Sequence, residues 1–141
     1  MDAHELLLTR RLEVFLGGTT TVFGAWLLMP WDAMSTASFA VILSAAPEYV
    51  WGGLFFLNGL SHLAALAING RRWWSPFMRW GVTMTTALVY LAFCLGFTFQ
   101  NWATTAVPIY GGLAVGHFIC MYLAWIDARI AVGVRFANRH A

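Results

Sequence analysis

The 141 residues are 60% hydrophobic and only 10% charged, with a mean hydropathy of +0.69, which excludes an ordinary soluble domain. All eight basic residues are arginines divided among three short segments, so the net charge of +2 leaves no basic patch suited to nucleic acid. We therefore expect an all-α integral membrane protein with a single membrane domain over residues 1–141.

The first spanning helix is predicted over residues 12–29, where Pro30 stops it. Gly17 and Gly24 recur on one of its faces, and small residues of this kind let a neighbouring helix approach closely. Residues 35–46 are apolar at helical spacing but number only about a dozen, too few to cross a hydrocarbon core. They predict a short interfacial helix or a shallow re-entrant turn.

A second helix is predicted over residues 50–68, a stretch of about 19 residues without a charged side chain, which is the length that a spanning helix needs. Asn58 and His62 lie one turn apart on it and share a face. The third and fourth spanning helices are predicted over residues 77–97 and 109–126. The polar side chains expected inside the resulting four-helix bundle are Asn58, His62, Thr86, Tyr90, His117 and Asp127.

The distribution of arginines predicts the orientation in the membrane. Two arginines precede the first helix, three lie in residues 69–80 where the second helix is followed by the third, and three lie in the C-terminal tail. The other two loops carry Asp32 and Glu48 instead. With four spans, the three basic segments lie on one membrane face. The positive-inside rule then places both termini in the cytoplasm.

A weak internal similarity relates the two halves of the chain. The four residues WGGL at 51–54 and YGGL at 110–113 each open a predicted helix soon after a proline. Two tandem hairpins in the same orientation, as in a parallel repeat, would explain this similarity. Chance similarity among apolar, glycine-rich segments explains it equally well.

His62 and His117 are the residues that could bind a cofactor. Their helices run in the same direction, and a rise of about 1.5 Å per residue places them roughly 10 and 15 Å from the cytoplasmic ends. They could therefore face each other and ligate a haem iron or share a metal ion. The alternative, which we expect, is that each is neutral and hydrogen-bonded to a neighbouring helix, with no cofactor.

Glu13 and Asp127 each lie near the cytoplasmic end of a helix. Carboxylates within a membrane are costly and often belong to proton or ion relays. The alternative, which we expect, is an ion pair with one of the nearby arginines, which are Arg71, Arg72, Arg79 and Arg129. The sequence contains no catalytic triad, phosphate-binding loop or CxxC pair, so we do not expect an enzyme.

The topology and a few residues resemble a known group of proteins. The residues are Pro47, Trp51, Gly52, Asn69, Gly70, Arg71 and Arg72. On these features the chain is similar to small four-helix membrane proteins encoded by tailed bacteriophages and their bacterial hosts, some of which are called holin-like. The resemblance implies a holin-like protein of a bacterial inner membrane, and it assigns no functional residue.

Two classes of function fit the sequence. The first, which we expect, is a self-assembling protein, holin-like or channel-like, that forms or modulates a passage through the lipid bilayer. Gly112 and Gly116 form a small-residue face on the fourth helix, which predicts a homo-oligomer with one of them at or near the contact. The alternative is an accessory subunit of a larger membrane complex, or a small bis-histidine haem protein using His62 and His117.

Overall fold

The computed structural model describes residues 3–68 and 72–140, and this part of the chain is all-helical, in agreement with the expected fold class. Within it, a short 3-10 helix covers Ala37–Phe39. The α-helices are α1 (Ala3–Leu27), α2 (Ala40–Ala45), α3 (Glu48–Ala67), α4 (Ser75–Asn101) and α5 (Ala106–His140). Asn69, Gly70 and Arg71, which contribute to the resemblance to phage proteins, lie outside the described residues.

Three helices in the described part of the chain are long and apolar enough to cross a membrane, namely α3, α4 and the Ala106–Gly133 part of α5. Large apolar side chains cover their outward faces, as expected of a surface in contact with lipid. With 25 residues α1 also has the length, but Arg10, Arg11 and Glu13 make its first half more polar. Its assignment as a fourth span stays a prediction.

The long helices extend beyond the predicted spans, most of all at the ends that carry arginines. α1 begins at Ala3 rather than at 12, and α5 ends at His140 rather than at 126. The chain after residue 126 contains no proline, and its alanines and arginines are good helix formers. The helical hydrogen bonds therefore continue after the apolar stretch has ended.

The four long helices pack as two hairpins side by side. α1 packs along α3, and α4 packs along α5. α3 contacts α4 between the hairpins, whereas α1 contacts α5 more lightly, so α1 and α4 lie diagonally across the bundle. This packing is the one that two tandem hairpins would give, although an origin by duplication stays a prediction.

Glycines bring α1 and α3 into close contact. A Cβ atom at Gly24 would overlap the backbone of Phe56, and a Cβ atom at Gly59 would overlap the backbone of Thr21. Gly17 packs against the side chain of Leu63, to which an added Cβ would come within 3.1 Å. Because lipid offers no hydrophobic drive to bring helices together, such close backbone packing holds the first hairpin together.

Aromatic rings fill the half of the bundle in which α1 and α4 end. Phe23, Phe55, Phe93 and Tyr110 come from α1, α3, α4 and α5 respectively. The centroids of their contacting rings lie 4.9 to 6.4 Å apart, mostly edge to face or tilted. We call these four residues the aromatic cluster.

Residues 30–47 close the aromatic end of the bundle. Ile42 on α2 is buried against α4, where a Cβ atom at Gly96 would lie 2.8 Å from its side chain. The indole N–H of Trp51 donates to the carbonyl of Ile42 at 3.2 Å and so attaches α2 to α3. The segment predicted over 35–46 as interfacial or re-entrant is therefore a 3-10 turn and a short α-helix packed onto the bundle.

Candidate functional site

Polar side chains line one face of each long helix inside the bundle. On α4, Arg79, Thr83, Thr86 and Tyr90 are spaced four, three and four residues apart, so they share a face, and all four are buried. The other helices contribute Glu13 and Thr20 from α1, His62 from α3, and His117 and Asp127 from α5. We call these nine residues the polar core.

The charged end of the polar core is centred on Arg79. Its Nη2 atom donates a hydrogen bond to Oε1 of Glu13, and its Nη1 atom donates to Oδ2 of Asp127 at 2.9 Å. Glu13 is fully buried, whereas the side chain of Asp127 is 35% exposed. One guanidinium group therefore faces two carboxylates, and the cluster carries one excess negative charge when both are ionised.

The two buried histidines lie next to each other in the middle of the bundle. The ring centroids of His62 and His117 are 5.8 Å apart. The hydroxyl of Thr20 lies 3.2 Å from Nε2 of His117 and 3.1 Å from the hydroxyl of Tyr90. The ring of Tyr90 also stacks on His117, with centroids 5.5 Å apart. Side chains of all four long helices therefore meet at this level.

Several buried atoms of the polar core have no hydrogen-bond partner among the described residues. They are both ring nitrogens of His62, Nδ1 of His117, Nε of Arg79 and Oε2 of Glu13. Buried polar atoms are normally satisfied by protein groups, ordered water or a bound ion, so these five atoms mark the part of the interior that is suited to hold one of the latter two.

Comparison with known protein families, with curated proteins and with solved structures finds no match for this chain. The resemblance to small phage-encoded membrane proteins stays a prediction.

The structure brings together most of the polar residues predicted for the bundle interior. His62, Thr86, Tyr90 and His117 are buried in the polar core, and Asp127 lies at its edge. Asn58 differs from the prediction, because it is only half-buried and its amide donates to the carbonyl of Leu54 on its own helix at 2.8 Å. A side chain bonded within its own helix has little to offer the other helices, so Asn58 does not belong to the polar core.

The four glycines predicted to pack helices fall into two groups. Gly17 and Gly24 both contact α3 within the chain. Gly116 faces α1, where an added Cβ would lie 3.2 Å from the side chain of Leu16. Gly112 is exposed, with open space where a Cβ would be. Gly112 is therefore the member of this set that faces outward.

The sequence-based prediction of interior residues did not include Arg79. Arg79 lies in a stretch rich in tryptophan and arginine, which is typical of a membrane interface. Its spacing from Thr83 and Thr86 did indicate an interior position. These two threonines share a face of α4, and one turn toward the N-terminus the same face reaches Arg79. Ion pairing was expected for Glu13 and Asp127, and the structure assigns both to the same arginine.

The residues around the two histidines do not fit a haem. The hydroxyl of Thr20 occupies the position at Nε2 of His117 that an iron would need, and Tyr90 covers a face of the same ring. On the other side, Gly17 lies close to Nδ1 of His62. Nor do the described residues bring together three histidine, cysteine or carboxylate side chains that could hold a metal ion. His117 therefore shares a hydrogen bond with Thr20 as expected, whereas neither ring nitrogen of His62 has a hydrogen-bond partner among the described residues.

Proposed function

We propose that the protein crosses a bacterial inner membrane four times, with both termini in the cytoplasm. The length of α1 and its close packing along α3 support its role as the fourth span. Arg79 is buried and does not count toward the charge asymmetry, which leaves seven of the eight arginines. Those of the seven that belong to the described residues lie toward the end where α1 and α4 begin, whereas Asp32 and Glu48 lie toward the other, and this asymmetry favours a cytoplasmic position for the first end.

We infer a channel-like function in this membrane, with a passage for small ions inside each protomer. The observation that carries this inference is the position of the polar core, which is enclosed by four helices whose outer faces are apolar. Charged side chains inside a membrane protein usually mark an ion or proton pathway, because placing them there is costly. The polar core is the feature that such a pathway requires.

The outer faces argue against a wide holin-like pore lined by several copies. Such a pore needs polar side chains on the surfaces that neighbouring copies turn toward the lumen. The exposed side chains of α5 are instead mostly apolar, among them Val115, Ile119, Trp125 and Ile126. A passage within the protomer requires no polar outer face.

The aromatic cluster closes the passage at the end opposite the charged cluster. Phe55 and Phe93 are buried, and residues 30–47 cover the same end of the bundle. Rings that exclude water form a barrier to ions, as in hydrophobic gates that open by wetting. Conduction therefore requires the rings of this cluster to separate.

An ion-flux measurement on purified protein in lipid vesicles tests the proposed function. We expect vesicles containing the protein to lose an imposed potassium or proton gradient faster than protein-free vesicles. The matched control is Ile119→Ala, which changes a lipid-facing side chain on α5 two residues from His117 and should conduct like the unaltered protein. Flux no faster than in protein-free vesicles, for both ions and for membranes held at either voltage sign, would contradict a channel-like function.

The accessory-subunit alternative has one observation in its favour. An apolar groove of about 660 Å³ runs along the outer face of α1 and is lined in part by Val14, Gly18, Val22 and Trp26. The missing side chain at Gly18 leaves room for a helix from another protein. An inactive protein that purifies from its own membrane in a fixed ratio with one larger membrane protein would favour this alternative.

A further inference from the structure

We infer that the ion carried by this passage is the proton, and that Glu13 and the two buried histidines hold it. This inference rests on the proposed channel-like function. It starts from the charges of the polar core, in which Arg79 supplies one positive charge while Glu13 and Asp127 supply two negative charges. One bound cation makes the cluster neutral.

The need for that cation follows from where the excess charge lies. Glu13 is fully buried and its Oε2 atom has no hydrogen-bond partner among the described residues. An uncompensated charge that is buried away from water is costly, even near the end of a spanning helix. Arg79 cannot compensate both carboxylates, since a guanidinium group carries a single charge. The free oxygen of Glu13 is therefore the place where a cation is most strongly held.

The atoms around Glu13 favour a proton over a metal cation. Sodium, potassium and calcium ions bind several oxygen atoms at once, about six or more for calcium. Here the unpartnered acceptors are one carboxylate oxygen and imidazole nitrogens of His62 and His117. A proton needs a single lone pair, and both carboxylate oxygen and neutral imidazole nitrogen provide one.

The partly exposed carboxylate of Asp127 gives protons from the aqueous side access to the charged cluster. Its side chain is 35% exposed, and it meets Arg79, which also holds Glu13. Arg79 donates a hydrogen bond to each of the two carboxylates, so it positions them and does not carry the transferred proton. A proton taken up on this side can neutralise either carboxylate without a charge crossing the aromatic cluster.

The next position for the proton is one helical turn deeper. Gly17 follows Glu13 by one turn of α1, and a Cβ at Gly17 would lie 3.4 Å from Nδ1 of His62. In the transfer, the O–H bond of protonated Glu13 breaks and an N–H bond forms on His62. Glu13 returns to a carboxylate and His62 becomes an imidazolium. The positive charge can then move to His117, whose ring centroid is 5.8 Å away.

The titratable and charged groups that surround this route come from all four long helices. They are Arg10 and Glu13 on α1, His62 on α3, Arg79 and Tyr90 on α4, and His117, Cys120 and Asp127 on α5. Beyond Tyr90 the described interior continues as the aromatic cluster, in which Tyr110 supplies the one hydroxyl group. The proton is therefore held on the cytoplasmic side of the closed aromatic end.

The decisive variant is Glu13→Gln, because we expect it to lower the proton flux without lowering the thermal stability. The change leaves Arg79 with one carboxylate, so the cluster becomes neutral and the variant should be at least as resistant to heat as the unaltered protein. It also removes the group that holds the proton, so proton flux should fall by about a hundredfold or more, the usual contribution of a positioned acid or base. Loss of flux without loss of stability is a result that a purely structural role would not give.

The experiment uses purified protein in vesicles that contain a pH-sensitive dye, with a potassium gradient and valinomycin to set the voltage. We expect rapid dye response for the unaltered protein, loss of it for Glu13→Gln and His62→Gln, and partial recovery for Glu13→Asp. Asn58→Leu is the matched control, since Asn58 lies one turn from His62 but outside the polar core, and it should keep full flux.

Three results would overturn the inference, and they differ in what they leave standing. Potassium flux above that of empty vesicles in an assay without valinomycin, together with no dye response, would leave the channel-like function in place and exclude the proton as its ion. No flux of either ion would overturn both. A Glu13→Gln variant with unchanged proton flux would also contradict the role assigned to Glu13.

Discussion

Arg79 on α4 donates a hydrogen bond to Glu13 on α1, although these two helices lie diagonally across the bundle and share few backbone contacts. The same guanidinium group donates to Asp127 on α5. One side chain therefore connects three helices through the interior. In lipid, where helices gain no hydrophobic energy from each other, such polar contacts determine which helices become neighbours.

The first prediction concerns the free energy of unfolding of an Arg79→Met variant. The change leaves two carboxylates facing each other without a cation, and breaking a buried ion pair in this way typically costs about 3–5 kcal/mol. We expect a large drop in the unfolding temperature in detergent, followed by the helical circular dichroism signal. The control is Arg72→Met, which alters an exposed arginine near the start of the same helix and should change stability little. Equal stability of the two variants would show that Arg79 does not hold the bundle together.

The second prediction concerns two glycines on α3. Gly59→Ala would place a Cβ atom into the backbone of Thr21, so α1 and α3 must move apart, and overpacking of this kind costs about 1–3 kcal/mol or more. Gly53→Ala meets nothing within 4 Å, so it should be neutral or stabilising through its better helix propensity. Thermal unfolding of both variants measures the difference. If Gly59→Ala unfolds at the same temperature as Gly53→Ala, the close packing of α1 on α3 is wrong.

Much of the fold could be predicted from the sequence, because apolar stretches of spanning length and the prolines that bound them are local signals. The nearness of His62 and His117 also followed from counting residues from the helix ends, and their ring centroids are 5.8 Å apart. The role of Arg79 did not follow in the same way. Its neighbours in sequence are those of an interfacial residue, and its partners Glu13 and Asp127 lie 66 and 48 positions away.

Other differences between prediction and structure have the same physical origin. Gly116 packs within the chain because Leu16 of α1 lies beside it, and no local pattern in the sequence indicates this neighbour. Asn58 has the polarity of an interior residue, but it lies at the side of α3 where its own helix satisfies the amide. The direction in which a helix faces is decided by its partners, and hydropathy alone does not specify these partners.

The third prediction concerns orientation in the membrane. In a variant with Cys94 and Cys120 replaced by alanine, we expect a cysteine at Ser35 to react with a membrane-impermeant maleimide added to intact cells. A cysteine at Arg72 should react only after the membrane is broken. Both positions are exposed in the structure, so failure to react reports the membrane side rather than burial. Labelling of the Arg72 position alone in intact cells would reverse the proposed topology.

The fourth prediction concerns haem. The purified protein should be colourless, with no Soret absorption, because Thr20 and Tyr90 occupy the space around His117 that a haem would need. The His62→Gln variant should fold with a modest loss of stability, because neither ring nitrogen of His62 has a hydrogen-bond partner among the described residues that the change would remove. A Soret band that disappears on replacing His62 or His117 would contradict this prediction and favour the small cytochrome.

The last prediction concerns assembly of several copies. Gly17, Gly24 and Gly116 all contact other helices of the same chain, so they are not available to a second copy. Gly112 is exposed on α5 with open space around it, and a small residue on an outward face is where a helix of another protomer can approach closely. We expect a homo-oligomer in detergent and a shift toward monomer for Gly112→Leu, with unchanged helical content and unfolding temperature.

Gly116→Leu separates contacts between copies from packing within one copy. Its added side chain would meet Leu16 on α1, so this variant should lose thermal stability while its assembly follows that of the unaltered protein. Light scattering coupled to size-exclusion chromatography measures the mass of each variant across a range of concentrations. A protein that is monomeric at every concentration would contradict self-assembly, but the passage proposed here would remain intact because it lies inside a single protomer. If Gly116→Leu rather than Gly112→Leu gives monomers, the copies meet through the face of α5 that packs on α1, and α1 must then move away from it.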